Sequence, residues 1–495
     1  MDTPAPHRPG LAITAGGTLL ALSVFTAPLS IVPSVAAGLQ ASTIATSWIL
    51  SSMSLGLAIT LLTAGAIGDD FGRRRVFTAG ALVLGIGSAV AGLAPNALVF
   101  VLGRVLEGIG AAAVIACGLA IISHTSPPGP ARARATGIWG ASLGAGIALG
   151  PLAGSLIDTA ADWRYSYLLF TVLALGLALV GRFRLEESRS GRARTIDVIG
   201  ALLLGIGLAC LLAALTQGRQ DWTSLLELSL MAGAVVFLTG FVTHQRRASG
   251  AMLDLTLFRR PALSAATLAA FISGAGITAL LSFFCTVLER GMARSPVFAS
   301  VLLLSWSAIS VAAALLTRHL PPRLSGGAKM AGGLVVITIG LIPMTLLTPT
   351  SAPWHLIGGL VVAGVGTGVV NATLAREAVA SVPPDRAGTG SGINNTSRYV
   401  GAAIGVTVVT IIAVHPAGTP ATLVAGWNTA TLTGMAFSVV GAAAVYLLHR
   451  ADTPWMAARE LLREGDQEHD QRDNPGQHAE QGLGSRLPAA FGEAE

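Results

Sequence analysis

GAIGDDFGRRRVF, residues 65–77, gathers two aspartates and three arginines among glycines. On each side lies a run of Ala, Leu, Val and Thr about 20 residues long, enough to cross a hydrocarbon core roughly 30 Å thick as a helix. A charged, glycine-punctuated string between two such runs reads as a tight turn at a membrane surface joining two transmembrane helices. The rest of the chain repeats the arrangement. Of its 495 residues 52% are hydrophobic and only 11% charged, whereas about a quarter of a soluble domain is charged.

Fourteen apolar runs bounded by charge, proline or glycine are expected to span, near 11–32, 44–66, 76–94, 98–122, 136–157, 165–182, 196–216, 225–243, 263–287, 297–317, 329–348, 355–380, 392–414 and 424–448. Lipid offers no partner for a free backbone group, so runs of this length are helices; barrel strands would be about half as long and alternate in polarity. The predicted fold class is an all-α membrane protein with 14 transmembrane helices. The first run is read as a span because it is too long for a signal peptide.

An even number of spans puts both termini on one side. Loops after even-numbered spans hold Arg73, Arg74 and Arg75, then Arg132 and Arg134, five arginines between 182 and 194, four between 246 and 260, and Arg318 and Arg323. The opposite loops hold Arg164, Arg219, Arg290 and Arg294. The positive-inside rule then predicts cytoplasmic termini and multi-pass insertion in the plasma (inner) membrane. Basic loops facing anionic headgroups also account for a pI of 9.9, and with no basic run or aromatic interleaving no nucleic-acid partner is expected. Cys117, Cys210 and Cys285 fall inside predicted spans without metal-ligand spacing and read as buried small hydrophobes.

Charged segments at 182–197 and 244–262 divide the spans into six, two and six. The expected division is 1–185 for a first six-helix bundle, 186–250 for two extra spans, 251–448 for a second bundle, and 449–495 for a mostly disordered cytoplasmic tail with a short interfacial helix at its start. Met252, Leu253, Leu255, Leu257 and Phe258 surround Asp254 ahead of Arg259 and Arg260, a pattern that suits either an amphipathic segment on the membrane surface or a plain loop.

Four motifs carry mechanism. In the opening stretch Gly65, Asp69, Asp70, Gly72 and Arg73 are a candidate cytoplasmic gate: Asp69 can pair with Arg73 or with the positive end of a neighbouring helix and so latch one conformation, the bland alternative being a topology anchor. Span four holds Arg104 and Glu107, one helical turn apart. Ionisable groups at membrane depth cost about 2.5–3.5 kcal/mol each and so face a cavity or a partner, which leaves proton coupling or a static salt bridge. Span five places Gly146, Gly150 and Gly154 on one face, with Pro151 beside them, a groove for close helix packing. Ser51, Ser54, Asn371 and Asn395 are polar candidates for a substrate cavity. GVGTG (364–368) and GTGSG (388–392) follow no strand, and the chain's single lysine is Lys329, so nucleotide binding and ATP-driven transport are not expected. No catalytic constellation and no metal site is predicted.

The order Gly65, three residues, Asp69, two residues, Gly72, Arg73 resembles the loop motif of the major facilitator superfamily, whose residue after the aspartate is usually basic where this chain has Asp70. GRVLEGIGAA (103–112) resembles the family's fourth-span motif, which is implicated in proton coupling, with Glu107 where glutamine is usual. The span-five pattern is similar to the family's antiporter motif, with Ser155 replacing its last glycine. DWRYSYLLF (162–170), MLDLTLFRR (252–260) and VPPDRAGTGSGINNTSRYVGAAIG (382–405), with the six-two-six division, resemble the fourteen-span drug/proton antiporter branch. One position departs: where the branch has an early first-span aspartate, this chain has Val24, which shifts proton coupling onto Glu107 and makes cationic substrates less assured.

The resemblance implies a major facilitator fold and a proton-coupled antiporter exporting small amphipathic drugs or antibiotics, driven by the proton gradient without a cofactor, and monomeric in the bilayer. A metabolite, lipid or natural-product carrier on the same fold is the alternative, and a membrane sensor a more distant one.

Overall fold

The structure is a computed structural model that describes residues 8–189, 197–218, 223–248, 251–413 and 419–450, apart from 322 and 353. The expected tail at 451–495, with its interfacial helix, lies outside the described residues. Among those described the chain is helical without strands, and 14 helices are long and apolar enough to cross a membrane.

The first six spans comprise α1 (Arg8–Thr26) with its continuation α2 (Pro28–Gly38), α3 (Thr43–Phe71), α4 (Arg73–Gly92), α5 (Ala97–Thr125), α6 (Pro130–Ala160) and α7 (Trp163–Arg184). The pair α8 (Val198–Gln217) and α9 (Leu225–Arg247) follows. The last six are α10 (Pro261–Ser273) with α11 (Ala279–Thr286), α12 (Pro296–Leu316), α13 (Gly326–Leu341), α14 (His355–Ala380), α15 (Ala387–Ala413) and α16 (Pro420–Arg450). Between α10 and α11, and again at Val287–Gly291, the helix widens into π turns, which collect at functional sites.

Local chemistry sets the ends. The side chains of Ser42, Asn96, Asp162, Ser224, Ser295 and Ser325 accept hydrogen bonds from the first free N–H groups of their helices, and Pro28, Pro130, Pro261 and Pro296 stand at helix starts, where their missing N–H costs nothing. Two expectations are corrected. The first apolar run is broken at Ala27, because Pro28 cannot continue the backbone ladder of α1. The turn quoted above is shorter than its glycines suggested: α3 runs on through Asp69 and Asp70 to Phe71, and the reversal is made by Gly72 alone, at φ +121°.

Apolar residues of the first six spans cluster around Ala111, Ile115 and Leu119 of α5; a second cluster, around Trp306, Leu334 and Trp427, joins the last six. The central helix is α5, 83% of whose most apolar window is buried, against 17% for α9 at the periphery. The extra pair touches the rest through α8, against α3 and against α15, where Thr407 donates to Leu215 O at 3.1 Å. Met252, Leu253 and Leu257 bury themselves against Leu204, Leu208 and Phe241, so the 251–259 segment seals the end of the extra pair with its apolar side inward.

Asp197 ties that end together. Its carboxylate caps α8 at Gly200 N (2.7 Å), lies 2.8 Å from His244 Nε2, and accepts from Gln245 Nε2 (2.7 Å) and Met252 N (3.1 Å). Burial pushes the carboxyl up, but the bonds from Gly200, His244, Met252 and Gln245 outweigh it and hold Asp197 below the ordinary aspartate range. A depressed carboxylate contributes stability above its unfolded pKa of about 3.9 and loses it as pH falls through the folded value. Asp197→Asn is therefore expected to cost about 1–3 kcal/mol at pH 7, seen as a lower melting temperature in detergent. The gap to the natural chain narrows as the pH is lowered below about 4.

Candidate functional site

Two groups of contacts join the two sets of six spans: α3 runs beside α15, and α6 beside α12 and α14. At the first, Asp69 is fully buried at the end of α3 and Arg73 nearly so at the start of α4. Arg73 donates to Asp69 Oδ1 from Nε (3.0 Å) and Nη2 (2.8 Å). The same carboxylate receives the N–H of Gly388 (3.0 Å) and, on Oδ2, the N–H (2.8 Å) and hydroxyl (3.2 Å) of Thr389. Asp69 thus caps the N-terminus of α15 from the other half of the molecule, where free N–H groups and the helix dipole favour a negative charge. Arg73 Nη2 also reaches the carbonyls of Pro384 and Asp385, each at 3.4 Å. Gly65 and Gly388 lie backbone to backbone, and a Cβ on either would strike the other's carbonyl. Asp70 is half-buried beside this cluster. Sequence reasoning missed Glu187, whose Oε1 accepts from Arg74 N at 3.1 Å while Ser188 O accepts from Arg73 N at 2.9 Å, so the strand of chain leaving α7 caps the start of α4.

Arg104 and Glu107 form a fully buried pair, Nη1 to Oε2 at 2.6 Å. Ser88 of α4 donates to Glu107 Oε1 at 2.7 Å. Arg104 has a second task. Pro28 lacks the N–H that would have bonded the Val24 carbonyl four residues back, and Arg104 Nη1 supplies that bond at 2.8 Å, with Nη2 on Phe25 O at 3.2 Å. The arginine stitches the broken first span, and Val24 meets it through its backbone.

The span-five glycines face α1. A Cβ on Gly146 would meet Leu19 O and Leu22, one on Gly150 would meet Thr26 Oγ1 and Ser23 O, and one on Gly154 would meet Ala27 O at 3.1 Å. Ser30 donates to Pro151 O at 2.7 Å across the same seam. The face of α6 turned to the other half carries Gly137, Gly140 and Gly144, set against Ala314, Ala372 and Ser310.

Between the halves lies a cavity walled by Phe25 and Leu29 from the first span, Ile147 of α6, Trp306 of α12, and Arg398 and Tyr399 of α15. The space open to water in this conformation is about 40 Å³, room for a few waters and far below the roughly 300–1,000 Å³ of a small-molecule site. Of the four polar candidates, Asn371 lines the cavity; Ser51 and Ser54 lie half-buried on α3, and Asn395 bonds the Ser391 carbonyl of its own helix at 3.0 Å. Two ionisable residues escape the sequence reading: Arg398, inside the predicted span 392–414, where an ionisable group was the signal available, and Glu289, which falls just past the predicted end of the 263–287 span. Glu289 keeps a buried Oε1 without a hydrogen-bond partner.

The Major Facilitator Superfamily model matches residues 14–406. The chain is 33% identical over 392 residues to Multidrug resistance protein Stp of Mycobacterium tuberculosis (78% of this chain, 70% of that one). It is 31% identical over 390 residues to a probable actinorhodin transporter of Streptomyces coelicolor (76% and 67%). Among solved structures it resembles the human organic anion transporter MFSD10 at a TM-score of 0.65 and 17% identity, over 89% of this chain and 100% of the other, a likeness of fold alone. Two sets of six spans meeting at an aspartate-capped helix, with a model match over most of the chain, fix the assignment: this protein belongs to the Major Facilitator Superfamily, in its fourteen-span form.

Proposed function

We propose that the chain is a proton-coupled antiporter that exports small amphipathic drugs or antibiotics across the plasma membrane. The observation that carries export is the similarity, over three quarters of the chain, to proteins named for multidrug resistance and for actinorhodin transport. The second of these names also favours a natural product as cargo. Arg73, Arg74 and Arg75 face the cytoplasm by the positive-inside rule, and both termini lie on that side. Residues 1–185 and 251–448 act as two rocking bundles, with 186–250 an outer pair and the protein working as a monomer.

In this reading the Asp69 bridge to Gly388 and Thr389 is the closed cytoplasmic gate, supported by Gly65, Asp70, Gly72 and Arg73. Gly146, Gly150, Pro151 and Gly154 keep α6 close to α1 and block leak along the seam. Asn371 contributes to the cavity. Protonation of Glu107 releases Arg104 and so couples the proton to the first span, whose broken end Arg104 holds. A 100 mV potential supplies about 2.3 kcal/mol per charge moved. At about 1.4 kcal/mol per decade, one proton then sustains a gradient of roughly 40-fold.

The test is collapse of the proton gradient in inverted membrane vesicles as amphipathic compounds are added. The natural chain is expected to dissipate the gradient with some of them, and Glu107→Gln to lose that response while keeping the Ser88 hydrogen bond and the fold. Equal responses would move the proton to another carboxyl, Glu289 being next in line. No response from either folded chain across a broad panel would sink the export reading.

A further inference from the structure

Among the described residues four arginines are buried in or at the ends of the membrane-spanning helices, Arg73, Arg104, Arg386 and Arg398. Arg73 holds Asp69, and Arg104 holds Glu107 and the end of α1. Arg386 stands just ahead of α15, and Arg398, within that helix, is 8% exposed. Its Nε and Nη2 are shielded from solvent and make no hydrogen bond, and among the described residues it forms no ion pair. It lines the cavity between the two halves. A guanidinium taken out of water without a partner is among the costliest arrangements a helix bundle can carry, and it persists where something supplies the missing acceptor.

The surroundings say what that is. Among the described residues no aspartate or glutamate lines the cavity, and Arg398 is the one charged side chain there. Around the cation the walls are mainly apolar and aromatic, with hydroxyls and the Asn371 amide between them: Phe25 and Tyr399 pack edge to face at 5.5 Å, and Trp306 is anchored on Thr367 at 3.3 Å. Beside it the helix between α10 and α11 widens into the π turn Gly274–Thr278, and a Cβ on Gly274 would strike the Arg398 carbonyl. The one fork of donors in an apolar chamber fits a planar acceptor on a flat, greasy body.

We propose that the cargo is an amphipathic organic anion, an aromatic or polycyclic body bearing a carboxylate or an ionised phenol that pairs with Arg398. The proposal rests on the export reading above and names its substrate class. It has an electrical consequence. Exchange of a cation for a proton moves no net charge, whereas an anion leaving as a proton enters moves two positive equivalents inward, so the membrane potential itself drives export of the anion.

The test uses three molecules with one skeleton: 9-anthracenecarboxylate, its methyl ester and 9-anthrylmethylammonium. Equilibrium binding to the purified full chain is expected to favour the acid over both others by about tenfold or more, as a charge-assisted hydrogen bond in a dry site would give. Arg398→Gln should abolish the preference and Arg398→Lys should keep part of it. If Arg398→Gln does not fold, Asn371→Asp, which sets a carboxylate in the same cavity, should cut the preference by a similar factor. Equal or tighter binding of the ammonium, or a preference untouched by both Arg398→Gln and Asn371→Asp, overturns the anion site. Vesicle transport separates the two readings. If neutral or cationic amphiphiles collapse the proton gradient and the acid neither binds nor does so, export stands and the anion proposal falls. If the acid binds through Arg398 yet no compound moves, the site stands and export falls.

Discussion

Replacing Asp69 by alanine is expected to lower transport by about a hundredfold or more while leaving the spans inserted. The change strands several groups at once. Arg73, 2% exposed, loses its Nε bond and the shortest of its Nη2 bonds, keeping only the long ones to Pro384 O and Asp385 O. The N–H groups of Gly388 and Thr389 lose the acceptor that caps α15 from the other half. Breaking a buried pair by removing one partner costs about 3–5 kcal/mol, which at about 1.4 kcal/mol per decade displaces the closed state by about two to three and a half orders of magnitude. Because those bonds link elements more than 300 residues apart, the loss falls on the contact between halves and not on either bundle alone. A cysteine placed at Ala387 should then react with a membrane-impermeant maleimide added from the cytoplasmic side, where in the natural chain that position is fully buried. Arg73→Lys, which can offer one donor where the guanidinium offers two along the same edge, should fall between the natural chain and Asp69→Ala. Unchanged labelling together with normal transport in Asp69→Ala would remove the latch from the mechanism.

Asp69 also illustrates how far the sequence alone reaches. A carboxylate four residues before an arginine on a helix names its local partner by spacing, so the Asp69–Arg73 bond was legible. The second partner, a helix start 319 residues away, was foreseeable only as a type of group, because nothing local specifies which helix end arrives there. The span count was legible for a similar reason: about 20 apolar residues cross a bilayer whatever they pack against. Details that depend on a single backbone group were not. The break in the first span follows from the N–H that Pro28 lacks, and its repair by Arg104 from a neighbour 80 residues on. Arg398 was hidden in another way. It directly follows a run rich in Gly, Ser, Thr and Asn at 388–397, so the start of its span reads as polar and a single arginine there does not stand out. Polarity within a span points equally to Ser51, Ser54, Asn371 and Asn395, but which face of a helix meets the cavity is set by the packing of helices from both halves, and of these Asn371 lies there.

The second large effect is expected at Gly150, where even alanine should be badly tolerated. A Cβ there has no room: it would collide with the Ser23 carbonyl and the Thr26 hydroxyl and stand 3.0 Å from Ala27 N, and two of these are backbone atoms that cannot rotate away. The helices must separate. The cross-seam bonds from Ser23 to Gly146 O (3.3 Å) and from Ser30 to Pro151 O (2.7 Å) then weaken together. Overpacking of this kind costs about 1–3 kcal/mol, and hydrogen bonds between membrane helices add about 0.6 kcal/mol each, so Gly150→Val should lower the melting temperature in detergent clearly and reduce transport by more than about tenfold. Gly16→Ala, on α1 with nothing within 4 Å of its added carbon, serves as the control and should behave as the natural chain. The comparison that decides the role of the motif is with Gly140→Ala, whose added carbon would press on the backbone of Ala372 at 3.1 Å across the gap between the halves. A Cβ at Gly140 opposes closure of the two halves and should slow transport with little loss of stability, because each bundle keeps its own packing. A Cβ at Gly150 disrupts the first bundle itself and should lower both together. If Gly150→Ala instead kept its melting temperature and lost only transport, the seam between α1 and α6 would have to slide during each cycle, and the glycines at 146, 150 and 154 would be a moving joint rather than a fixed one.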